Sequence, residues 1–244
     1  MKICTALELL AKQTWSLLAT CNKQAISVTE DVITTNNLVF LRNNVPKAFV
    51  AWDARPWEYF IGCDFEMWIG SQASGWCGYA VQAKRMQMNT GKYLGLNHRN
   101  SYGRQIDLLE AYAANVGVEP IYLFYNTLTP HLPSLCGSPY PLDQLGCTIT
   151  PSNVVAAALS THGAKNFSWI HAHSDTALWR CLTCCNAKRS CYSKAVGSGT
   201  KKQLPDHVQQ TMRSDLQPKD MYDRYEHRLR AKALVVIEVS DDIS

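Results

Sequence analysis

Apolar residues recur at helical spacing near the start of the chain. Leu7, Leu10, Trp15 and Leu18 fall on one side of residues 5–21, which predicts an amphipathic helix. Asn22-Lys23-Gln24 interrupts it. Ser27-Val28-Thr29-Glu30 reads as a capping box, with Ser27 as N-cap and Glu30 three residues on. A second helix is expected from there to about Arg42, stopped by Asn43-Asn44-Val45-Pro46. The pattern then changes. Ala48–Asp53, Glu58–Ile69 and Trp76–Met86 are rich in aromatic and β-branched residues and are separated by turn-formers, so three strands in an antiparallel meander are expected. Helical spacing returns over Tyr102–Val116, with Gly117 placed to close the helix. Pro120–Tyr125 is short, apolar and aromatic, as a buried strand is.

The second half is less regular. Thr127–Thr150 is rich in Pro, Gly and Ser and reads as loop. Ser152–Thr161 reads as a short helix, Asn166–His171 as strand or loop, Leu204–Arg213 as a helix with Pro205 early in it, and Lys232–Val239 as a last strand. No internal repeat or linker stands out. One domain over 1–244 is expected, of mixed α/β (α+β) class: a central mixed sheet flanked by helices over about 25–126, a Cys-rich elaboration over about 127–230 and a final strand over about 232–239.

Composition narrows the classes. The chain has 244 residues, 46% hydrophobic and only 18% charged, enough apolar material for a sizeable core. A net charge of +4 permits a nucleic-acid partner without demanding one. No apolar run approaches the roughly 18 residues of a membrane span. Glu8 and Lys12 make the N-terminal stretch unlike a signal peptide. A cytoplasmic protein with its ten cysteines as reduced thiols is therefore expected.

The candidate chemistry lies on the second and third expected strands. Asp64 and Glu66 share a face of one, and Gln82 and Lys84 share a face of the next. If these strands pair, carboxylates, an amide and an ammonium meet. Oxygen ligands of this kind hold a hard cation, and the ammonium offsets charge on a phosphate. A solvated sheet face with a surface salt bridge is the alternative.

Gly62-Cys63-Asp64 followed by Gln82-Ala83-Lys84-Arg85, in the order α–β–β–β–α–β, resembles the restriction-endonuclease-like PD-(D/E)XK superfamily, and within it the Mrr-like branch with Gly-x-Asp and Gln-x-Lys. Glu58, Trp68, Tyr93-Leu94, Gln105-Ile106 and Pro120-x-Tyr122-x-x-Tyr125-Asn126 extend the similarity to an uncharacterised bacterial family of that superfamily, over residues 27–126. The resemblance implies a Mg²⁺- or Mn²⁺-dependent endonuclease acting on DNA, in defence against foreign DNA. It implies Asp64 as central metal ligand, with Gln82, the Ala83 carbonyl and Glu30 as further ligands. Gln82 stands where most of the superfamily carries an acid, so it contributes no charge. Lys84 would orient or activate the attacking water. Glu58 and Glu66 compete as additional ligands or supporting groups, and Arg85 as a phosphate contact. A homodimer is left open. The alternatives are a catalytically inactive nucleic-acid-binding module of the same fold, or a zinc-dependent interaction protein.

The zinc alternative rests on Cys181, Cys184, Cys185 and Cys191. Cys181-x-x-Cys184 has knuckle spacing, but the doublet and the lone Cys191 fit no standard finger. Buried thiols are the favoured reading. Lys188, Arg189 and Lys194, with Arg180 and Lys201-Lys202, make a basic stretch that could grip a phosphate backbone or simply face solvent.

Overall fold

The computed structural model describes residues 1–52, 58–127, 129, 133, 135–136, 139–184, 200–215 and 231–239; the side chains of residues 58, 59, 214 and 215 are outside that set. The expected first helix is α1 (Ile3–Lys23), which buries Leu7, Leu10, Thr14, Leu18 and Cys21. The second is α2 (Glu30–Asn44). It starts later than the capping box predicts: Thr29 is the N-cap, with no side-chain hydrogen bond, and Glu30 is the first helical residue.

The expected class holds: a mixed sheet lies between two layers of helices. Its strands are β1 (Ala48–Trp52), β2 (Phe65–Ser71), β3 (Gly75–Gln87), β4 (Lys92–Tyr93), β7 (Glu119–Tyr125), β8 (Cys147–Pro151), β9 (Ala177–Leu178) and β10 (Ala233–Glu238). Among the described residues they lie in the order β1-β10-β2-β3-β7-β8-β9, with β4 added to β3. A separate two-stranded ribbon, β5 (Arg99–Asn100) with β6 (Gly103–Arg104), leads into α4 (Gln105–Val116). Gly117 closes α4 in the left-handed conformation, as its position predicts.

The three-strand meander needs correction. β2 and β3 do pair antiparallel, Phe65 opposite Val81. β1, however, is separated from β2 by β10, which runs antiparallel to β1 and parallel to β2. The expected strand from Glu58 is also too long: Glu58–Ile61 is a helical turn, α3, and β2 begins only at Phe65.

The faces of the sheet follow from the register. Glu66, Ala80 and Pro120 are neighbours on one face, as are Gln82 and Tyr122, and Lys84 and Phe124. Tyr112 of α4 bonds Glu66 and so covers this face. Tyr125 points the other way and meets Thr34 of α2 at 2.8 Å, so α1 and α2 cover the opposite face.

Residues 127–150 are not all loop. Cys147–Pro151 forms β8, whose Thr148 and Thr150 look polar in sequence but are buried and bonded. Thr148 Oγ1 meets His171 Nε2 at 2.8 Å, and Thr150 pairs with Thr176. α5 (Ser152–Ser160) follows as expected. Phe167–Ala172 is a helix, α6, rather than strand or loop; Asn166 caps it by accepting from Trp169 N–H at 3.0 Å.

The expectation of reduced thiols fails at one pair. Cys4 and Cys184 form a disulfide, with Cα atoms 5.6 Å apart. It ties α1 to the short helix α7 (Cys181–Cys184). Cys184 is thereby removed from any zinc set. Cys181 is buried, and Cys185 and Cys191 lie outside the described residues.

Asn126, just past β7, ties the second half to the first. Its Nδ2 donates to Leu145 O (2.8 Å), Thr148 Oγ1 (3.0 Å) and Phe124 O (3.3 Å), and its Oδ1 accepts from the Tyr93 hydroxyl at 2.5 Å. Tyr93→Phe removes that donor and strands a buried carbonyl oxygen. Stability should fall by about 1–3 kcal/mol, measured by urea unfolding; an unchanged midpoint would show that Asn126 does not depend on it.

Candidate active site

β3 is longer than β2, so the two part company at Asp64. Gly62 makes the turn possible. Its φ is +63°, and a Cβ there would stand 2.4 Å from the Gln105 carbonyl oxygen at the start of α4. Asp64 follows, with its backbone N–H donating to Val81 O at 2.9 Å. Its carboxylate takes over where main-chain pairing ends: Oδ2 accepts from Ala83 N–H at 2.6 Å and from Gln82 Nε2 at 2.7 Å. The carboxylate therefore sits near the plane of the sheet, at the fork. Its charge helps to raise the pKa of Tyr122 on one face and of Tyr125 on the other, although burial is the main cause for both.

Gln82 is 1% exposed. Its Nε2 also donates to the Ala83 carbonyl at 3.1 Å. One amide nitrogen thus spans two oxygens, those of Asp64 and Ala83. The amide oxygen Oε1 is buried without a hydrogen-bond partner among the described residues. So is the hydroxyl of Tyr122, which neighbours Gln82 across the sheet. Buried polar atoms in folded proteins are nearly always bonded, so both are exceptions, and they belong to residues paired across β3 and β7. Sequence reasoning noticed Tyr122 only as part of a motif. Its alternation along the strand is readable, but its register against Gln82 is not.

Lys84 is 6% exposed and lies one pleat beyond Gln82 on the same face. A lysine this buried needs a reason, and a solvated sheet face is not what surrounds it. The structure thus brings Asp64, Gln82 and Ala83 into direct contact and sets Lys84 next along the strand.

A family of unknown function (DUF6615) matches residues 3–242. The chain belongs to the DUF6615 family. No curated protein matches it.

The remaining candidates of this DUF6615 protein are placed differently. Glu30 is half-buried in the first turn of α2. Its neighbour Asp31 pairs with Lys232 at 2.7 Å, and Lys232 precedes Ala233, the β10 partner of Phe65. That turn therefore lies at the end of the sheet where Asp64 sits. Glu58 is in α3, and its side chain is outside the described set. Arg85 faces away from Lys84 and lines a cavity of about 300 Å³ with Ser27, Gln87 and Asn89. Lys188, Arg189 and Lys194 lie outside the described residues. Two other members of the basic stretch are structural. Arg180 pairs with Glu8, and Lys201 donates to Val116 O at 2.7 Å with its ammonium 5.4 Å over the Trp68 ring.

Glu66 has its own work to do. Its Oε1 accepts from Trp68 Nε1 (2.5 Å) and His207 Nε2 (2.9 Å), and its Oε2 from the Tyr112 hydroxyl (2.5 Å). These bonds fasten α4 and α8 (Asp206–Asp215) onto β2. Burial pushes the Glu66 pKa up; His207, by bond and charge, with the Tyr112 and Trp68 bonds, outweighs it and holds the carboxyl below its ordinary value of 4.5. Its folded pKa is depressed, so its stabilisation is present above the unfolded pKa and is lost as pH falls through the folded value. Glu66→Gln should therefore lower the melting temperature at pH 7, with a deficit that shrinks as pH drops below about 4.5. A deficit independent of pH would show that the carboxylate charge is not what binds these helices.

Proposed function

We propose that this DUF6615 protein is a metal-dependent nuclease that hydrolyses DNA phosphodiesters, on a restriction-endonuclease-like PD-(D/E)XK core. Defence against foreign DNA is the role this resemblance carries. The reading rests on one observation: the Gln82 amide bridges Asp64 Oδ2 and the Ala83 carbonyl at the fork of β2 and β3, with its own oxygen unpartnered. A donor held between two oxygens occupies ground that a cation would favour. Amide nitrogen and oxygen are nearly the same size, so exchanging them needs no extra space. The exchange would set Oε1 among two other oxygens, an arrangement that only a positive ion makes favourable.

Asp64, Gln82 and Ala83 thus fit Mg²⁺ or Mn²⁺, with Glu30 as a candidate fourth member from α2. Bound there, the ion supplies a Lewis acid for the phosphate and an activated water. The chain's own residues do the rest. Asp64 brings the negative charge that selects a cation, and its bond from Ala83 N–H holds the carboxylate in place. Lys84 brings a buried positive charge close to where negative charge grows on the phosphate, where a preorganised group is worth most. Among the described residues no three His, Cys, Asp or Glu side chains gather as a metal cluster; apart from Glu30, the proposed set is one carboxylate, one amide and one carbonyl, which favours weak and exchangeable binding. Among the described residues no helix is long and apolar enough to cross a membrane. The Cys4–Cys184 disulfide is of a kind that reducing compartments disfavour.

The test is cleavage of plasmid and of single-stranded DNA with Mg²⁺ or Mn²⁺, with chelator as the blank. Lys84→Ala should lower the rate by about 10²–10³ with much less effect on binding. Lys84→Met should do the same at nearly constant stem volume. Asp64→Asn should abolish cleavage more fully. Equal cleavage by all four proteins would refute the assignment to this site. Tight binding without cleavage by any of them would make the protein an inactive binding module.

A further inference from the structure

One disulfide stands among thiols. Cys4 and Cys184 are joined across 180 positions of sequence, while six further described cysteines, Cys21 and Cys147 among them, are thiols. A bridge that coexists with so many thiols has the pattern of a bond that opens and closes. Cys147 is wholly buried, and burial pushes its pKa up to about 12, so it is neither ionised at neutral pH nor reachable. The disulfide is placed differently. Both of its cysteines are half-buried, and both line a cavity of about 600 Å³. That is within the range of small-molecule sites, roughly 300–1,000 Å³. Lys47 and Glu238 in the same wall are paired with each other at 3.2 Å. The one electrophile that the wall offers is the sulfur pair, and the nucleophile that matches it is a thiolate.

The two sulfurs are not equivalent. The Thr183 hydroxyl oxygen lies 3.3 Å from Cys184 Sγ. This hydroxyl donates to the Arg180 carbonyl at 3.1 Å, and rotation about its C–O bond would aim the proton at a thiolate formed on Cys184. Cys4 Sγ has no hydrogen-bond partner among the described residues. In thiol–disulfide exchange the sulfur whose negative charge is better stabilised leaves faster. Attack is therefore favoured on Cys4, with Cys184 departing.

We propose that Cys4 is a thiolation site, where a low-molecular-weight thiol entering this cavity opens the Cys4–Cys184 bond by exchange. The incoming thiolate sulfur bonds to Cys4 Sγ. The Cys4–Cys184 bond breaks, and its electron pair leaves with Cys184 Sγ, which takes up the proton that the thiol gave up. The products are a mixed disulfide on Cys4 and a thiol on Cys184. A second molecule of the thiol, attacking the small-molecule sulfur of the mixed disulfide, releases Cys4 as a thiol and carries away the oxidised dimer. Two small thiols are then oxidised and one protein disulfide is reduced. Either product unties α1 from α7 and returns to the unfolded chain the freedom of a long loop. The site does not depend on the nuclease reading.

The experiment treats the full, folded chain with reduced glutathione, traps thiols with N-ethylmaleimide, and maps both adducts by mass spectrometry. The wild type should carry glutathione on Cys4 and maleimide on Cys184, with Cys147 unmodified until urea is added. Thr183→Val should slow opening roughly tenfold, and Thr183→Ser should restore it. Opening should lower the melting temperature by about 4–16 °C; Cys4→Ser should start at the lower value and not respond to glutathione. Glutathione found on Cys184 in place of Cys4, no opening until urea unfolds the chain, or an opening rate indifferent to both Thr183 variants would overturn the proposal.

Discussion

A backbone N–H inside a sheet must find an acceptor, and at Ala83 the neighbouring strand has already turned away. The Asp64 carboxylate fills that vacancy at 2.6 Å. This bond lies where β2 begins, and it fixes the carboxylate beside the Gln82 amide. It also leaves Asp64 between the two helical layers rather than inside one of them. A carboxylate that serves as a structural acceptor is held to one position, and the same fixity suits a ligand that must not wander.

The Glu66 cluster solves a different problem on the same strand. One pleat from Asp64, a second buried carboxylate accepts from an indole, an imidazole and a phenol. It gathers three elements, β2, α4 and α8, around one acid. Gln82, by contrast, leaves its oxygen unused. Two polar residues of similar burial on neighbouring strands differ in this: both oxygens of Glu66 have partners, and that of Gln82 has none among the described residues.

Much of this was legible in the chain. Helical and alternating periods located α1, α2, β1, β3, α4, β7 and β10 because each has one clear apolar face or a continuous buried run. The Gln-x-Lys stretch stood out because polar residues end an apolar strand. What was not legible came from long-range pairing. Nothing local in Ala-Leu-Val-Val-Ile says that β10 enters between β1 and β2, and nothing near His207 says that it answers Glu66 from 141 positions away. β8 was hidden because its threonines are satisfied by His171 and Thr176, partners distant in sequence. Strand alternation places Glu66 beside Asp64 as an additional ligand or supporting group; its bonds to Tyr112, Trp68 and His207 are not readable from the sequence. The Cys184 thiol was read with its neighbours in sequence, when its partner is Cys4.

The place of β10 has a consequence for how the protein comes into being. Phe65, one residue after Asp64, lies between Val81 on one side and Ala233 on the other. During synthesis, β2 therefore spends the time needed to add more than half of the chain as an exposed edge. The strand that shelters it leaves the ribosome late, and contacts so distant in sequence form slowly. Until then β2 is paired on its β3 side only. Completion of the sheet is thus tied to the arrival of β10: a chain interrupted before residue 233 would carry every candidate catalytic side chain and still lack the strand that joins β1 to β2.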